Sequence, residues 1–358
     1  MELAKGGHSV GVSVCYWPEK IAALERLRGT GCSVHQRKWN PIIDPLLRRL
    51  IQDHETWKAK RWLSRVAPDF VVLSTGAFAP DSSWCDACRQ LRIPYAIIAQ
   101  AVSESLWPRD EHIRCIREAF DSASGLFFVS NGNVRLVERM LGCSLPKARV
   151  VRNPFNVNYD VRCPFPEANG SWLLACVARL DPAAKGQDLL LEVLRQEKWR
   201  RRNIKVSFYG KGHNAVSVRE MASVYGLENV AFCGHVEDIE RLWRNHHLLV
   251  LPSRFEGLPL ALVEAMLCAR PAVVTDVAGN AEILEDGKTG FIAEAPTVLH
   301  LDEAMERAWG ARESWQNMGV EAARRIRQLV PANPAAVFAE EIKRLAHASV
   351  ISGQELAR

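Results

Sequence analysis

Two carboxylates stand eight residues apart in the stretch PSRFEGLPLALVEAM, residues 252 to 266: Glu256 at a Gly/Pro turn and Glu264 inside an otherwise apolar run. Carboxylates are seldom buried without a partner, so both imply a ligand or a polar neighbour that the local sequence does not supply. Gly257 allows a ligand close to the backbone, and Pro259 suits the first turn of a helix. The free N–H groups of such a turn face outward as donors. Glu256 is thus placed beside these donors, suited to accept hydroxyl hydrogens from a polyol. Glu264 falls about two turns inside the helix, where a diol would satisfy it as an acidic residue does in dinucleotide-binding folds.

A second stretch, VARLDPAAKGQDLLLEVL, puts Arg179 at the end of a strand and Lys185 in the loop leading into a helix that begins near Asp188. Cations at strand ends close to a helix N-terminus form a diphosphate site, because the helix dipole adds roughly half a positive charge there. Arg grips two phosphate oxygens with a planar fork, and Lys contributes a mobile point charge. Taken alone, each of these residues also reads as an ordinary surface cation beside a turn.

The elements that must hold these residues follow from the rest of the chain. At 358 residues it is long for one core, and two domains with a cleft between them are the better expectation. Hydrophobic residues make up 48% and charged residues 24%, a globular balance that excludes a disordered chain. Short apolar runs alternate with helical patterns: PDFVVLST, PYAIIAQ, GLFFVS and ARVVRNP in the first half, then WLLACVARL, IKVSFYG, VAFCGH, LLVLPS and AVVTDV in the second. That alternation reads as parallel α/β sheets. The stretch 154 to 170, with three prolines and no clear period, reads as a connection. The expected division is an N-terminal Rossmann-like domain at 1–158, a linker at 159–170, a C-terminal Rossmann-like domain at 171–330, and a helix at 331–358 that returns toward the first domain. The opening MELAKGGHSVGV looks like a helix tail entering a strand. The first strand and Gly-rich turn expected of a doubly wound domain are absent, so either that domain lacks an inner strand or the sequence starts downstream of it.

Together, VARLDPAAKGQDLLLEV, FYGKG, PSRFEGLPLALVEAM and VVTDVAGNAEILEDGKTGFIAE resemble the retaining glycosyltransferases of family four, which have the GT-B fold of two doubly wound, Rossmann-like domains facing a cleft. The resemblance covers about 172 to 294 closely and 1 to 160 more loosely, and it carries the family's E-x7-E signature as Glu256 and Glu264. It implies that Arg179 and Lys185 hold the donor diphosphate and that Glu256 contacts the transferred sugar. The backbone at Gly257, Leu258 and Leu260 would cradle sugar and distal phosphate, and Glu264 would bind the nucleotide ribose. The implied partners are a nucleotide-sugar donor and a glycan, lipid or small-molecule acceptor, with no nucleic acid. No cofactor or metal is implied, and the chain contains no D-x-D.

The sequence departs from the family where many relatives place a His near the acceptor; Gln100 stands there, able to hydrogen-bond a hydroxyl but not to act as a base. His112 is the substitute a sequence can offer, although a plain helix-surface position is the better account of it. Ser130 and Asn153 end strands on the same side, and Trp17, Phe78 and Trp107 are loop aromatics able to stack on sugar rings. Two readings compete with transfer. A nucleotide-sugar epimerase of similar fold would need an acidic pair at strand ends of the first half, and none stands out there. A sugar-nucleotide-binding scaffold would keep the donor residues without turnover.

The net charge is +5, with basic residues gathered at 46–65 and 198–205. The first cluster reads as a solvated helix face, or as an amphipathic helix touching anionic lipid through Leu46, Leu50 and Trp57 with Arg48, Arg49, Lys58 and Lys60 beside them. Ten unevenly spaced cysteines and no apolar run of about 18 residues or more favour a cytoplasmic protein, peripheral at most to the inner membrane surface. The single C-x-x-C, Cys85 and Cys88, reads as two small buried residues of a helix.

Overall fold

The computed structural model describes residues 1–15, 21–37 and 48–355. Trp17, Leu46 and the side chains of Arg48, Arg49 and Leu50 lie outside the described residues.

The N-terminal half contains two parallel sheets. Strands β1 (Gly11–Cys15) and β2 (Ser33–Arg37) pair with each other, and β3 (Val71–Thr75), β4 (Tyr95–Ala99), β5 (Gly125–Phe128) and β6 (Ala148–Val150) form a sheet in chain order. β4 and β5 are buried along their whole length, as apolar runs in the middle of a helix-covered sheet must be. Cys85 and Cys88 sit fully buried on the helix Ser82–Leu91, and burial pushes both thiols up to about 12, so they remain inert apolar filling.

The C-terminal half holds a six-stranded parallel sheet of β7 (Trp172–Val177), β8 (Ile204–Tyr209), β9 (Val230–Gly234), β10 (Leu248–Leu251), β11 (Ala272–Thr275) and β12 (Gly290–Ala293). Its spatial order is β12-β11-β10-β7-β8-β9. Counted from its own first strand this is 6-5-4-1-2-3, the doubly wound order whose direction of winding reverses between the first and fourth strands. That switch point lies between β7 and β10, which pair through Leu174 with Leu248 and Ala175 with Leu249. β10 and β11 are buried throughout. Two strands were not expected from sequence. β2 is mostly polar and exposed, and β12 sets its two large apolar residues, Phe291 and Ile292, between a glycine and an alanine.

The stretch 154–170 lies on the C-terminal half rather than hanging free. Tyr159 donates through its hydroxyl to the Arg327 carbonyl at 2.7 Å, and the Asn158 N–H donates to Glu240 at 2.9 Å. Arg270, fully buried, donates to the carbonyls of Trp243, Cys268 and Pro164 at 2.8, 2.8 and 2.5 Å, which ties this stretch to the core. Burial lowers its guanidinium to about 10. The helix Pro334–Glu355 then returns to the N-terminal half, where Phe338 meets Phe127 edge-on at 5.1 Å and Glu341 accepts from Arg149 at 2.7 Å. Among the described residues no helix is long and apolar enough to cross a membrane.

Candidate active site

The loops after β7 and β10, on either side of the switch point, bring one expected cation, Lys185, to one expected carboxylate, Glu256. Arg179 follows β7 by two residues, 60% exposed, with its Nη2 donating to Asp181 at 2.8 Å. Lys185 ends a four-residue helix, Pro182–Lys185, rather than lying in an open loop, and the next helix begins at Gln187. Gly186 joins the two helices at a φ of +64°, and a Cβ there would collide with the Pro252 carbonyl. Only glycine lets this turn settle against the end of β10.

That close fit decides the site's geometry. The N–H groups of Arg254 and Phe255 donate to the Ala184 carbonyl at 2.9 and 3.0 Å. Arg254 also grips Asp188 with both Nη atoms, at 2.6 and 2.8 Å, and the Pro182 carbonyl at 2.8 Å. With the two loops clamped, Lys185 Nζ reaches Glu256 Oε1 at 2.6 Å, and the Ser253 hydroxyl donates to the same oxygen at 2.7 Å. Glu256 is 6% exposed. Ser253, Arg254 and Asp188 were not singled out from sequence. The visible signal was an Arg two residues before Glu256 and an Asp opening the facing helix, but nothing local pairs them.

Glu264 lies in the helix Leu260–Leu267, 3% exposed. Its partner is Asn156, which donates to Oε1 from both its backbone N–H and its side-chain Nδ2 at 2.9 Å. Burial raises the Glu264 carboxyl above its ordinary range, and the two Asn156 bonds partly offset that. Oε2 makes no hydrogen bond among the described residues, which leaves it the oxygen open to a ligand hydroxyl. Pro259 stands at the cap position, just ahead of the helix instead of in its first turn, and no side chain caps that end. The N-terminus therefore stays available next to Gly257 and Leu258.

The N-terminal half closes against this edge. Val102 and Glu256 form an antiparallel bridge, and a Cβ on Gly257 would collide with the Gln100 carbonyl. Glu282 accepts from the Gly132 N–H at 2.6 Å and from Asn131 Nδ2 at 3.2 Å, so a C-terminal carboxylate caps the start of the helix Asn131–Leu141. A cavity of about 330 Å³ remains between the halves, lined by Val102, Arg135, Arg254, Glu256 and Asp276. Gln100 accepts from Asn153 Nδ2 at 2.9 Å at the end of β4. Ser130 is fully buried, its Oγ accepting from the Asn133 N–H at 3.2 Å. His112 sits in the first turn of the helix Asp110–Ser122, 3.6 Å from Glu111, and is not among the residues that line this cavity. Phe78 is part of the N-terminal core, and Trp107 is exposed.

With this geometry, comparisons with known proteins become specific. Residues 172–310 match the family Glycosyl transferases group 1, the segment that contains the whole β7 to β12 sheet. The chain is also similar to the poly(ribitol-phosphate) alpha-N-acetylglucosaminyltransferase of Staphylococcus aureus (strain COL), 31% identical over 120 residues, which is 33% of this chain and 24% of that protein. The matched segments span from 19% to 45% of the length of such curated relatives. Among solved structures, a glycosyltransferase from Rickettsia africae ESF-5 superposes with a TM-score of 0.76 at 14% identity, covering 96% of this chain and 93% of that one. Anabaena Alr3699/HepE in complex with UDP and glucose superposes with a TM-score of 0.67 at 17% identity, covering 89% and 88%. At these identities the likeness speaks to the fold, which is GT-B: two α/β halves face each other across the cavity. Within the matched segment 172–310 lie Arg179, Lys185, Glu256 and Glu264.

Proposed function

We propose that the protein is a retaining glycosyltransferase of the family-four type, moving a hexose from a nucleotide-sugar donor to a glycan, lipid or small-molecule acceptor. The observation that carries this reading is the Lys185–Glu256 pair at the switch point between β7 and β10. Ligands of doubly wound sheets bind in the crevice at that point. Anabaena Alr3699/HepE, of similar fold, holds UDP and glucose.

In this reading Arg179 and Lys185 hold the donor diphosphate. Charge grows on its leaving oxygen as the glycosidic bond breaks, and fixed cations there lower the barrier without reorganising at the moment of reaction. The open N-terminus of the helix Leu260–Leu267, with the backbone of Gly257, Leu258 and Leu260, adds donors to the distal phosphate and the sugar. Side chains and backbone thus neutralise the diphosphate, and no metal ion is required. Glu256, oriented by Lys185 and Ser253, accepts hydroxyl hydrogens of the transferred sugar. Glu264 accepts from the ribose through Oε2 while Asn156 holds Oε1. The acceptor enters from the side of Gln100 and Ser130 and attacks on the face the diphosphate leaves, which gives retention.

The test is an assay of nucleotide sugars with and without an acceptor extract. Free nucleotide released only when acceptor is present supports transfer. Interconversion of donor sugars without acceptor would mean epimerisation, and tight nucleotide binding with neither outcome would mean a scaffold.

A further inference from the structure

The basic cluster of residues 46–65 takes no part in the cleft, yet the structure builds a second cavity around it. This cavity, about 360 Å³, lies wholly within the N-terminal half, between β2, the helix Arg48–Val66 and the helix Ser82–Leu91. Its volume falls within the range of small-molecule sites, and it shares no lining residue with the cleft cavity.

Aromatic rings form its floor and lip. Trp84 is buried, Trp62 meets it edge-on at 5.6 Å, and His35 stacks on Trp62 at 5.6 Å. Burial, reinforced by Arg37 and Arg65, depresses His35, so this ring is neutral near pH 7. Trp57 stands at the lip, 53% exposed. His54 stacks on it at 6.1 Å, and an indole face attracts the polarised C–H groups of a pyranose as it does other electropositive edges.

The charges in this cavity are one-sided. Arg37, Lys58, Arg61 and Arg65 line it, against Glu55 as the lone carboxylate among the lining residues. Glu55 is taken by Lys58 at 2.8 Å. Arg61 lies over the Trp57 ring at 5.5 Å, and Arg65 has no ion pair among the described residues. Arg37 lines the cavity and lies over Trp84 at 4.7 Å, with Asp81 at 3.8 Å; its Nε is buried without a hydrogen-bond partner among the described residues. A flat lipid surface would need apolar side chains projecting outward, whereas these rings are mostly recessed. A nucleic acid would need a groove running on past the cavity, and the described lining residues come from one strand and two helices.

We propose that this cavity binds an acidic saccharide, a sugar ring that carries a carboxylate, with the ring against Trp57 and Trp62 and the anion on Arg37, Arg61 and Arg65. The binding claim stands on the cavity alone. Its assignment to the acceptor glycan, held here away from the cleft, rests on the transferase reading above.

Trigalacturonic acid and maltotriose serve as acidic and neutral probes, titrated calorimetrically against the full chain, with vesicles of anionic phosphatidylglycerol as a third arm. The expected result is binding of trigalacturonic acid that weakens with salt, and maltotriose about tenfold weaker or worse. Trp57→Ala and Arg65→Ala, both at exposed positions, each weaken trigalacturonic acid about tenfold and leave nucleotide-sugar affinity unchanged. Lys185→Ala leaves trigalacturonic acid binding intact. Equal affinity for both trisaccharides, binding to vesicles alone, or wild-type affinity in both cavity variants overturns the proposal. If instead the acid binds as expected while no nucleotide sugar is turned over, the cavity stands and the transferase reading fails.

Discussion

Lys185 Nζ and Glu256 Oε1 lie 2.6 Å apart although 71 residues separate them in the chain. They meet because Gly186 seats against Pro252 and Arg254 clamps Asp188, which fixes the loops after β7 and β10 to each other. A cation that in the proposed reaction faces a diphosphate thus also orients the carboxylate that reads the sugar.

Lys185→Ala removes the cation beside a carboxylate that is 6% exposed, leaving only the Ser253 hydroxyl as its partner. A buried charged group stripped of one partner costs about 1–3 kcal/mol of stability. Losing a donor to the leaving diphosphate lowers turnover about 100-fold. Denaturant unfolding and steady-state kinetics check the two effects separately.

Glu264→Gln separates stability from function. The raised Glu264 carboxyl keeps its proton in the folded chain to higher pH than in the unfolded one, so the fold loses stability as pH climbs from the ordinary carboxyl value through the raised one. Gln cannot ionise and still accepts from Asn156. The variant is expected to melt above wild type near about pH 8, with the gain shrinking toward about pH 4, where both forms are neutral. Nucleotide affinity falls at the same time. Melting curves across pH, paired with nucleotide titration, test this; a variant less stable than wild type at pH 8 would contradict it.

Gly257→Ala puts a methyl group into the Gln100 carbonyl and breaks the Val102–Glu256 bridge. Relief requires the halves to part, at a cost of about 1–3 kcal/mol. Small-angle scattering is expected to show a larger radius of gyration, and turnover to drop more than nucleotide affinity does.

Arg254→Lys keeps the charge and loses the two-point grip on Asp188 together with the Pro182 contact. The loop carrying Lys185 loosens. Turnover falls about tenfold, equivalent to roughly 1.4 kcal/mol of barrier, with nucleotide affinity nearly unchanged. A double-mutant cycle with Asp188→Asn is expected to show a coupling of about 1 kcal/mol; strictly additive effects would remove Arg254 from the positioning of Lys185.

The sheet strands were legible where burial on both faces makes a continuous apolar run, as in LLVL of β10 and AVVT of β11. β2 hid because SVHQR is polar, and β12 because its two large apolar residues, Phe291 and Ile292, sit between a glycine and an alanine. Arg179, Lys185, Glu256 and Glu264 were readable as residue types in a pattern, since cations at strand ends and carboxylates in apolar runs are uncommon locally. Their supports were not readable. Asn156 lies 108 residues from Glu264 and Asp188 lies 66 from Arg254, pairings that only the folded chain creates. His112 shows the limit from the other side: a residue type able to do chemistry sits on a helix beside Glu111 and does not line the cleft cavity.

The central claim, transfer of a sugar with retention by the Lys185–Glu256 site, is tested most directly by proton NMR of a reaction mixture. It would contain the protein, a nucleotide sugar selected by thermal shift, and an acceptor that triggers nucleotide release. The expected product has a new glycosidic bond with the anomeric configuration of the donor, formed by wild type and about 100-fold more slowly by Lys185→Ala. An inverted product, or a Lys185→Ala variant that turns over at the wild-type rate, would contradict it.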